Sequence, residues 1–377
     1  FPAVIIEENV MPYAHITGWG MSVPDTVLTN DDLSKIVDTN DQWIRERTGI
    51  RERRIAKEGQ TTSSLGVEAA LKALTVANMR PTDLDLIICS TSTPDYIFPA
   101  TACMIQDQIG ATRAGAFDLL AACSGFIYAT NMAAQAIRSG SIKSALVIGA
   151  ETLSRFVNWK DRNTCILFGD GAGAFILQAS DKPGGVYSAV MHSDGSGGDL
   201  LTLSGGGSVH PATEATVHEG KHFIEMDGKE VFRFATRVMA QATKEALEVA
   251  GMTIEEVNWI VPHQANIRII EAAARGLKQP MDKFIVNLDR YGNTSTASIP
   301  IATVEAVEKG QIKNGDKFVM VGFGAGLTWG ALTAEWTGPL PSKGQVRPAQ
   351  YRVLGRVRSF VRRAIRFIEG IIFRREL

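Results

Sequence analysis

Short apolar runs alternate along the chain with longer stretches in which apolar residues recur every three or four positions. The short runs are DLIICS, FDLL, SALVIGA, GAGAFIL, NWIVP, KFIVNL, KFVMVGFG and GALTAEW, and each has the length of one buried strand. The stretches between them, such as SSLGVEAALKALTV, have the spacing of amphipathic helices. Buried strands separated by helices predict an α/β protein with a mainly parallel or mixed sheet.

This pattern occurs twice. Residues 77–88 (ANMRPTDLDLII) resemble residues 250–261 (AGMTIEEVNWIV), and each segment follows an amphipathic helix. Each copy continues with a second helix, a second strand (GAFDLL; KFIVNL) and a turn of small residues that opens another helix (AACSGF; YGNTSTAS). The shared order predicts a duplication, with an N-terminal half over 14–182 and a C-terminal half over 183–338. Residues 339–377 remain as a linker and tail.

Composition narrows the class of protein. The 377 residues are 45% apolar and 21% charged, which excludes a disordered chain or a disulfide scaffold. The four cysteines are not spaced as metal-binding pairs, so we expect a reducing compartment and no zinc site. No apolar run is long enough to span a membrane, and we expect no signal peptide in the first residues. These features predict a cytoplasmic protein.

Charge is distributed unevenly between the body and the tail. Residues 347–377 carry nine Arg, no Lys and two Glu, a net charge of +7, while the whole chain has a net charge of −1. The remaining residues are therefore mildly acidic, and we expect no nucleic-acid binding. The basic tail needs a separate explanation.

Three residues with chemical potential lie where the repeated units pass from a strand to a helix. Cys123 follows the strand in FDLLAACSGF, His263 follows NWIVP, and Asn293 lies in RYGNTSTASIP. At a helix start, the Cys123 thiol would meet the positive end of the helix dipole, which predicts a lowered pKa. Taken singly, each residue also fits a structural role: a small buried residue for Cys123, a capping residue for His263 and turn chemistry for Asn293.

We expect Cys123, His263 and Asn293 to share one site, because duplicated α/β halves bring corresponding strand ends together. A thiolate beside an imidazole and an amide supplies a nucleophile and two donors directed at one oxygen. That set suits acyl transfer through a thioester, followed by stabilisation of an enolate. The glycines of GDGAGAF (169–175) lack the spacing of a nucleotide-binding loop and indicate close strand packing. No metal-ligand set is expected.

Along the chain the motifs NDQWIRERTGIRERR, AACSGF, ILFGDGAGAFIL, VPHQANIRII, YGNTSTASIP and VGFGAGLTWGA occur in this order. Together they resemble 3-oxoacyl-[acyl-carrier-protein] synthase III, over a span from about Ala14 to Thr337. The resemblance implies a thiolase-like fold, in which two duplicated halves form a five-layered αβαβα core, and a homodimer. It implies that Cys123 is the acylated nucleophile and that His263 and Asn293 act in malonyl decarboxylation.

The implied reaction starts fatty-acid synthesis and needs no cofactor beyond CoA thioesters as substrates. An acyl-CoA primer would transfer its acyl group to Cys123 while the backbone amides of Cys123 and Ala325 hold the oxyanion. Malonyl-acyl-carrier protein would then lose CO2, and the resulting carbanion would attack the acyl thioester. Negative charge develops on an oxygen in both halves of the reaction, so fixed donors matter in each.

The resemblance also implies binding residues. Trp43 and Arg162 would lie on either side of the CoA adenine, with Thr39 and Arg47 nearby, which is a reasonable stacking arrangement for a purine. The pantetheine channel would be lined by Gly228, Phe232, Ala265 and Asn266.

Two further contacts follow from the resemblance. The acidic carrier protein would contact the start of one helix, where a cation is electrostatically suitable; the residues are Gln264, Ala265, Asn266, Ile267 and Arg268. Phe98 would shape the acyl pocket of the partner subunit.

Two other functions are compatible with the chain. One is a relative with the same Cys-His-Asn chemistry that serves secondary metabolism with another acyl donor. The other is a membrane-docked scaffold or acyl-binding protein without catalysis, which the complete triad and the CoA-facing residues disfavour.

The tail has a strong helical pattern. At 100° per residue over 352–372, the apolar side chains fall within one arc and the arginines fill the opposite arc. The apolar residues are Val353, Leu354, Val357, Phe360, Val361, Ile365, Phe367, Ile368, Ile371 and Ile372. Three interpretations fit: a helix that packs its apolar face on the dimer or another copy, a helix that lies in an anionic membrane surface, and an arm for the acidic carrier protein.

Overall fold

A computed structural model describes residues 11–340 and 345–373 of the chain. Within these residues the strands are β1 (Tyr13–Ser22), β2 (Val27–Thr29), β3 (Glu52–Arg54), β4 (Leu86–Ser90), β5 (Gly115–Leu119), β6 (Ser144–Thr152), β7 (Asp170–Ser180), β8 (Val186–Ser193), β9 (Leu201–Thr202), β10 (Glu225–Met226), β11 (Trp259–Pro262), β12 (Lys317–Gly324) and β13 (Thr328–Glu335). The α-helices are α1 (Asn30–Leu33), α2 (Asp41–Thr48), α3 (Thr62–Val76), α4 (Thr101–Ile109), α5 (Gly125–Arg138), α6 (Glu214–His218), α7 (Gly228–Val249), α8 (Ile267–Leu277), α9 (Leu288–Tyr291), α10 (Ser298–Glu308) and α11 (Pro348–Phe373).

Two mixed sheets form the centre of the molecule. The first has the order β1-β7-β6-β4-β5, with β4 parallel to both β5 and β6 and with β7 antiparallel to β1 and β6. The second has the order β11-β12-β13-β8, with a parallel β11–β12 pair and antiparallel pairs beyond it. The predicted α/β class with a mixed sheet is confirmed. The first sheet ends at Ser180 and the second begins at Val186, on either side of the predicted boundary between halves.

One predicted strand is wrong. The run KFIVNL was expected to form a strand, but among the described residues it makes a single parallel bridge, between Ile260 and Phe284. The reason is a side chain that takes the place of a strand partner. The Gln264 amide nitrogen donates to the carbonyl of Ile285, and its amide oxygen accepts from the backbone of Asn287. A ladder cannot continue where a side chain already satisfies these backbone groups.

Helices separate and cover the two sheets in five layers. Helices α3 and α4 cover the outer face of the first sheet, α5 and α10 lie between the sheets, and α7 covers the second sheet, with α8 packed against α7. Close packing between layers depends on small residues, as the GDGAGAF motif predicts. A Cβ atom at Gly173 would lie 2.6 Å from the Cβ of Pro300 on α10, closer than real side-chain contacts. The predicted αβαβα arrangement is confirmed.

The tail forms the helix α11, which begins four residues before the predicted segment 352–372. It packs on α4 and α3, and the face that makes these contacts is the polar one. The apolar side chains instead lie on the exposed side of the helix. The side chain of Ile372 lies outside the described side chains. Among the described residues, no helix combines the length and apolar character needed to cross a bilayer.

Candidate active site

Cys123 lies directly beyond the carboxyl end of β5. A single 3-10 turn, Ala122–Ser124, joins this strand region to α5, which begins at Gly125. Ala122 adopts a positive φ of 46°, and the backbone of Gly324 passes so close that a Cβ there would lie 2.6 Å from the Cys123 amide nitrogen. The strained turn and the glycine together hold the Cys123 amide and thiol at the junction of the two halves.

The pKa of the Cys123 thiol differs from the value that the sequence predicts. Burial raises the pKa of Cys123 to about 12, and the hydrogen bond from Ser295 opposes this rise only in part. The predicted lowering of the Cys123 pKa by the helix dipole is therefore wrong. The physical reason is desolvation, which disfavours the thiolate more than one helix terminus stabilises it. The thiol is therefore the protonated form at neutral pH.

His263 follows β11, which ends at Pro262, and its backbone amide donates to the carbonyl of Val321 in β12. The imidazole is buried, and its Nδ1 lies 2.7 Å from Oγ of Ser298 at the start of α10. Its ring meets Phe323 edge-on, with centroids 5.3 Å apart. Burial lowers the pKa of His263 to about 3, so the ring is neutral at physiological pH.

Asn293 lies in the turn between α9 and α10. Its amide oxygen accepts a 2.8 Å hydrogen bond from the backbone of Ser295, which leaves the amide nitrogen as the group available for donation. The backbone of Asn293 is fixed on both sides, because its N–H donates to the carbonyl of Leu167 and its carbonyl accepts from Gly169. The turn therefore presents a donor in a fixed orientation.

These three side chains line one cavity of about 80 Å³, together with Phe323 and Gly324. The structure thus brings together the three residues that the strand ends predicted. A second, inner cavity of about 100 Å³ shares Cys123 and extends to Ser92, Leu203 and Ala325. The cavity pair can hold a thioester at Cys123, with the imidazole and amide on one side and the Cys123 and Ala325 backbone on the other.

A wide mouth of about 990 Å³ leads from the surface to this cavity pair. Of the residues expected to bind CoA, Trp43 and Arg47 line this mouth. Gly228, Phe232 and Asn266 line both the mouth and the cavity of about 80 Å³ that holds the three catalytic candidates. Ala265 lines that cavity but not the mouth. Thr39 does not line the mouth, and its buried hydroxyl has no hydrogen-bond partner among the described residues.

Two arginines contact the Trp43 ring. The Arg47 guanidinium carbon is 4.6 Å from the indole ring centroid and that of Arg162 is 4.8 Å away. Arg162 also donates to the carbonyl of Asp38 at 3.1 Å. Both guanidinium groups therefore contact the indole directly, and an adenine could reach the face covered by Arg162 only if that side chain moved away.

The expected carrier-protein segment divides into exposed and buried residues. Gln264 is only 1% exposed, and both ends of its amide are bonded to backbone groups. The expectation that it contacts the carrier protein is therefore wrong, since a buried residue cannot reach a partner. Ile267 is half-buried, whereas Arg268 is exposed at the mouth and lies over the Phe232 ring at 5.4 Å.

Comparisons with known proteins agree with this geometry. Models described as 3-oxoacyl-[acyl-carrier-protein] synthase III and as its C-terminal domain match residues 117–195 and 247–336. A β-ketoacyl-[acyl-carrier-protein] synthase III of Roseiflexus sp. (strain RS-1) is 52% identical over 325 residues, which are 86% of this chain and 99% of that protein. The chain belongs to the 3-oxoacyl-[acyl-carrier-protein] synthase III family.

Solved structures of relatives share the fold of this chain. The Aquifex aeolicus VF5 3-oxoacyl-[acyl-carrier-protein] synthase III is 48% identical with a TM-score of 0.79, over 85% of this chain and 99% of that one. The priming β-ketosynthase of the R1128 polyketide pathway is 36% identical with a TM-score of 0.81, over 88% and 98%. This chain is therefore an acyltransferase of the thiolase-like fold, as the motifs predicted.

Phe98 lies outside the cavities of its own subunit. It follows Tyr96 and Ile97 in the loop before α4, and its side chain is 84% exposed. Among the described residues of the chain, Phe98 therefore lines neither the cavities at Cys123 nor the mouth.

Sequence reasoning missed three polar residues of the synthase III site: Ser295, Ser298 and Glu151. Ser295 bonds both the Cys123 thiol and the Glu151 carboxyl, and Glu151 is buried at the end of β6, where burial raises its pKa to about 7. A glutamate that ends the otherwise apolar run SALVIGAE was the available signal. Within the described residues, no cluster of His, Cys, Asp or Glu could hold a metal ion.

Proposed function

We propose that this chain condenses an acyl-CoA primer with malonyl-acyl-carrier protein through an acyl-Cys123 thioester. The observation that supports the proposal is that Cys123, His263 and Asn293 line one cavity. This cavity opens to the wide mouth beside Trp43. The names of the relatives, as synthases acting on acyl-carrier protein, support the same substrates. No group beyond the substrates takes part in the reaction as proposed.

In the first half-reaction the Cys123 sulfur attacks the carbonyl carbon of the acyl-CoA. The carbon–sulfur bond to CoA breaks, and CoA leaves as a thiol that carries the proton of Cys123. The tetrahedral oxyanion is held by the backbone amides of Cys123 and Ala325, which lie beside the same inner cavity. Because the free thiol has a raised pKa, the proton has to leave as the bond forms rather than beforehand.

In the second half-reaction malonyl-acyl-carrier protein loses CO2, and the electron pair of the broken bond becomes an enolate. His263 Nε2 and Asn293 Nδ2 donate hydrogen bonds to the enolate oxygen, since the other atom of each group is already engaged by Ser298 or Ser295. The enolate carbon attacks the acyl thioester and expels the Cys123 thiolate, which then takes up a proton. The product is a 3-oxoacyl-acyl-carrier protein.

A turnover assay tests the proposal. Purified protein is incubated with malonyl-acyl-carrier protein and a panel of acyl-CoAs, and the carrier protein is weighed by mass spectrometry. The expected result is a 3-oxoacyl-carrier product for at least one primer. Absence of that product across the panel, with a folded protein and an active control synthase, would contradict it.

A second candidate is priming of a secondary-metabolite synthase. The likeness to the R1128 priming β-ketosynthase favours it. The two candidates share the chemistry and differ in the carrier protein and primer. Assays with the host fatty-acid carrier protein and with a polyketide carrier protein separate them, because the true carrier gives the higher kcat/KM.

We also propose a homodimer that forms through the β5 edge. β5 is the last strand of the first sheet, and large apolar side chains are exposed around it, namely Tyr96, Ile97, Phe98, Phe117 and Leu120. An unpaired edge with exposed apolar residues readily pairs with another copy. This arrangement would direct Phe98 into the partner's acyl pocket. Mass photometry should report about twice the 40.8 kDa of one chain.

The proposed location is the cytoplasm, with peripheral contact to a membrane through residues 352–372. All four cysteines are free, which supports a reducing compartment. The membrane contact depends on α11 and is independent of the condensing activity.

A further inference from the structure

Helix α11 exposes a continuous row of large apolar side chains. Nine described residues in this row have between 47% and 74% of their surface exposed. They are Val353, Leu354, Val357, Phe360, Val361, Ile365, Phe367, Ile368 and Ile371. We call this row the apolar face of α11. Apolar surface of this extent on one helix marks a site of contact with another molecule or a membrane.

The opposite face of α11 is the one attached to the body. Gly355 meets Gly110 at the end of α4, where a Cβ on Gly355 would lie 3.0 Å from the Gly110 Cα. Ser359 donates a hydrogen bond to Asp107. Because neither glycine has a side chain, the two backbones approach closely. This close packing sets the rotation of α11 about its axis.

Two ion pairs support the same rotation. The Arg352 guanidinium lies 2.7 Å from the Glu68 carboxylate of α3, and that of Arg363 lies 3.8 Å from Asp107 of α4. At 100° per residue, Gly355 lies roughly opposite the centre of the apolar face. The attached face therefore directs the apolar face away from the protein.

Arginines border the apolar face on both sides. Relative to Gly355, Arg356 lies about 100° around the helix in one direction and Arg358 about 60° in the other. Both are exposed. An apolar strip between two cationic borders matches an anionic bilayer surface, where the apolar residues enter the acyl region and the arginines reach the lipid phosphates.

The charge of α11 disfavours a second copy of this helix as the partner of the apolar face. Face-to-face pairing of two α11 helices would bring the arginine borders of both copies together, and like charges oppose such pairing. The position of α11 disfavours the carrier protein as the partner of the apolar face. α11 crosses α4 at Gly110, near the residues that lead into β5, whereas Cys123 follows the opposite end of that strand.

We infer that α11 docks the enzyme on anionic lipid, with its apolar face in the membrane and its glycine–serine face on α4. This inference deepens the membrane contact proposed for residues 352–372 and does not rest on the condensing activity. The docked enzyme has the outer side of α3 and α4 toward the lipid. The mouth at Trp43 and Arg268 is built from other elements, so substrates can reach it while the enzyme is bound.

Vesicle flotation of the full-length protein tests the inference. Phosphatidylglycerol vesicles should carry the protein at low salt, and phosphatidylcholine vesicles should carry little. The double variant Phe360→Glu and Ile368→Glu should reduce binding at least about tenfold, because it places charge in the apolar face. Val249→Glu, at a 63% exposed position on α7, is the matched control and should bind as the wild type does.

The remaining outcomes overturn the inference. Full-length protein that ignores phosphatidylglycerol vesicles at low salt would exclude the membrane as occupant. If truncation at Gly344 then lowered the oligomeric mass, a second copy would be the occupant, and if it removed affinity for immobilised carrier protein, the tail would be a carrier arm. Condensing activity is measured on every variant, so a loss of lipid binding with unchanged activity remains distinguishable from failure of the proposed reaction.

Discussion

The Nδ1 atom of His263 lies 2.7 Å from the Oγ atom of Ser298. The same Oγ accepts a 3.3 Å hydrogen bond from the backbone amide of Gln264. We assign Nδ1 as the acceptor of the Ser298 proton, a choice of tautomer that this geometry allows. The neutral imidazole then carries its own proton on Nε2, which is the form that can donate to an enolate oxygen.

Ser298→Ala should lower the decarboxylation rate of malonyl-acyl-carrier protein about tenfold, corresponding to the loss of one oriented hydrogen bond. The KM for the carrier substrate should change little, because Ser298 does not line the mouth. Thr303→Val is the matched control, since it removes another buried hydroxyl from α10, one that donates to the carbonyl of Ile299 in the same helix. Equal losses in both variants would indicate a structural effect instead.

Cys123→Ala should abolish acyl transfer and condensation while leaving decarboxylation measurable. The reason is that His263 and Asn293 are fixed by Ser298 and Ser295, and not by the thiol. Release of CO2 from malonyl-acyl-carrier protein and formation of the condensed product are measured in parallel. Condensation at a rate near that of the wild type would contradict the role of Cys123 as nucleophile.

Between pH 8 and pH 5, protonation of His263 should not lower the decarboxylation rate of Cys123→Ala. The folded pKa of His263 is about 3 and the unfolded value is 6.5, so the ring stays neutral over this range while the fold is intact. A rate that halves near pH 6.5 and follows a single protonation would show that the imidazole is solvated instead.

The positions of Cys123, His263 and Asn293 could be predicted because strand ends and helix starts are local patterns that the duplication repeats. The failure at KFIVNL has a different origin, since the bonds from Gln264 to Ile285 and Asn287 depend on side-chain direction. The raised thiol pKa depends on burial that the second half supplies. Likewise, the helical pattern of the tail located its apolar face, but Gly110 decides which face meets the body.

Arg162→Ala should raise the KM for acyl-CoA and leave the KM for malonyl-acyl-carrier protein unchanged, because only the former carries adenine. Stacking of a base on such a site is worth about 1–3 kcal/mol, so the increase should be about tenfold or more. Arg80→Ala is the control, because Arg80 is a surface arginine paired with Asp83. A matching change in both KM values would assign Arg162 a structural role.

Glu151→Gln should alter how stability depends on pH. The folded pKa of Glu151 is about 7, above the unfolded value of 4.5, so the folded state holds a proton that the unfolded state loses. The wild type therefore loses stability as the pH rises from about 4.5 to about 7, by at most about 3 kcal/mol from this group. The variant should lack that loss in urea unfolding, and an unchanged slope would refute the assignment.

The most direct test of the account is the mass of the intact protein after incubation with acyl-CoA alone. The wild type should gain the mass of one acyl group less a hydrogen, and peptide mapping should place it on Cys123. Cys123→Ala should gain nothing, while Cys103→Ala, which removes an exposed cysteine, should be acylated as the wild type is. Acylation that persists in Cys123→Ala, or that maps to another residue, would contradict the central claim.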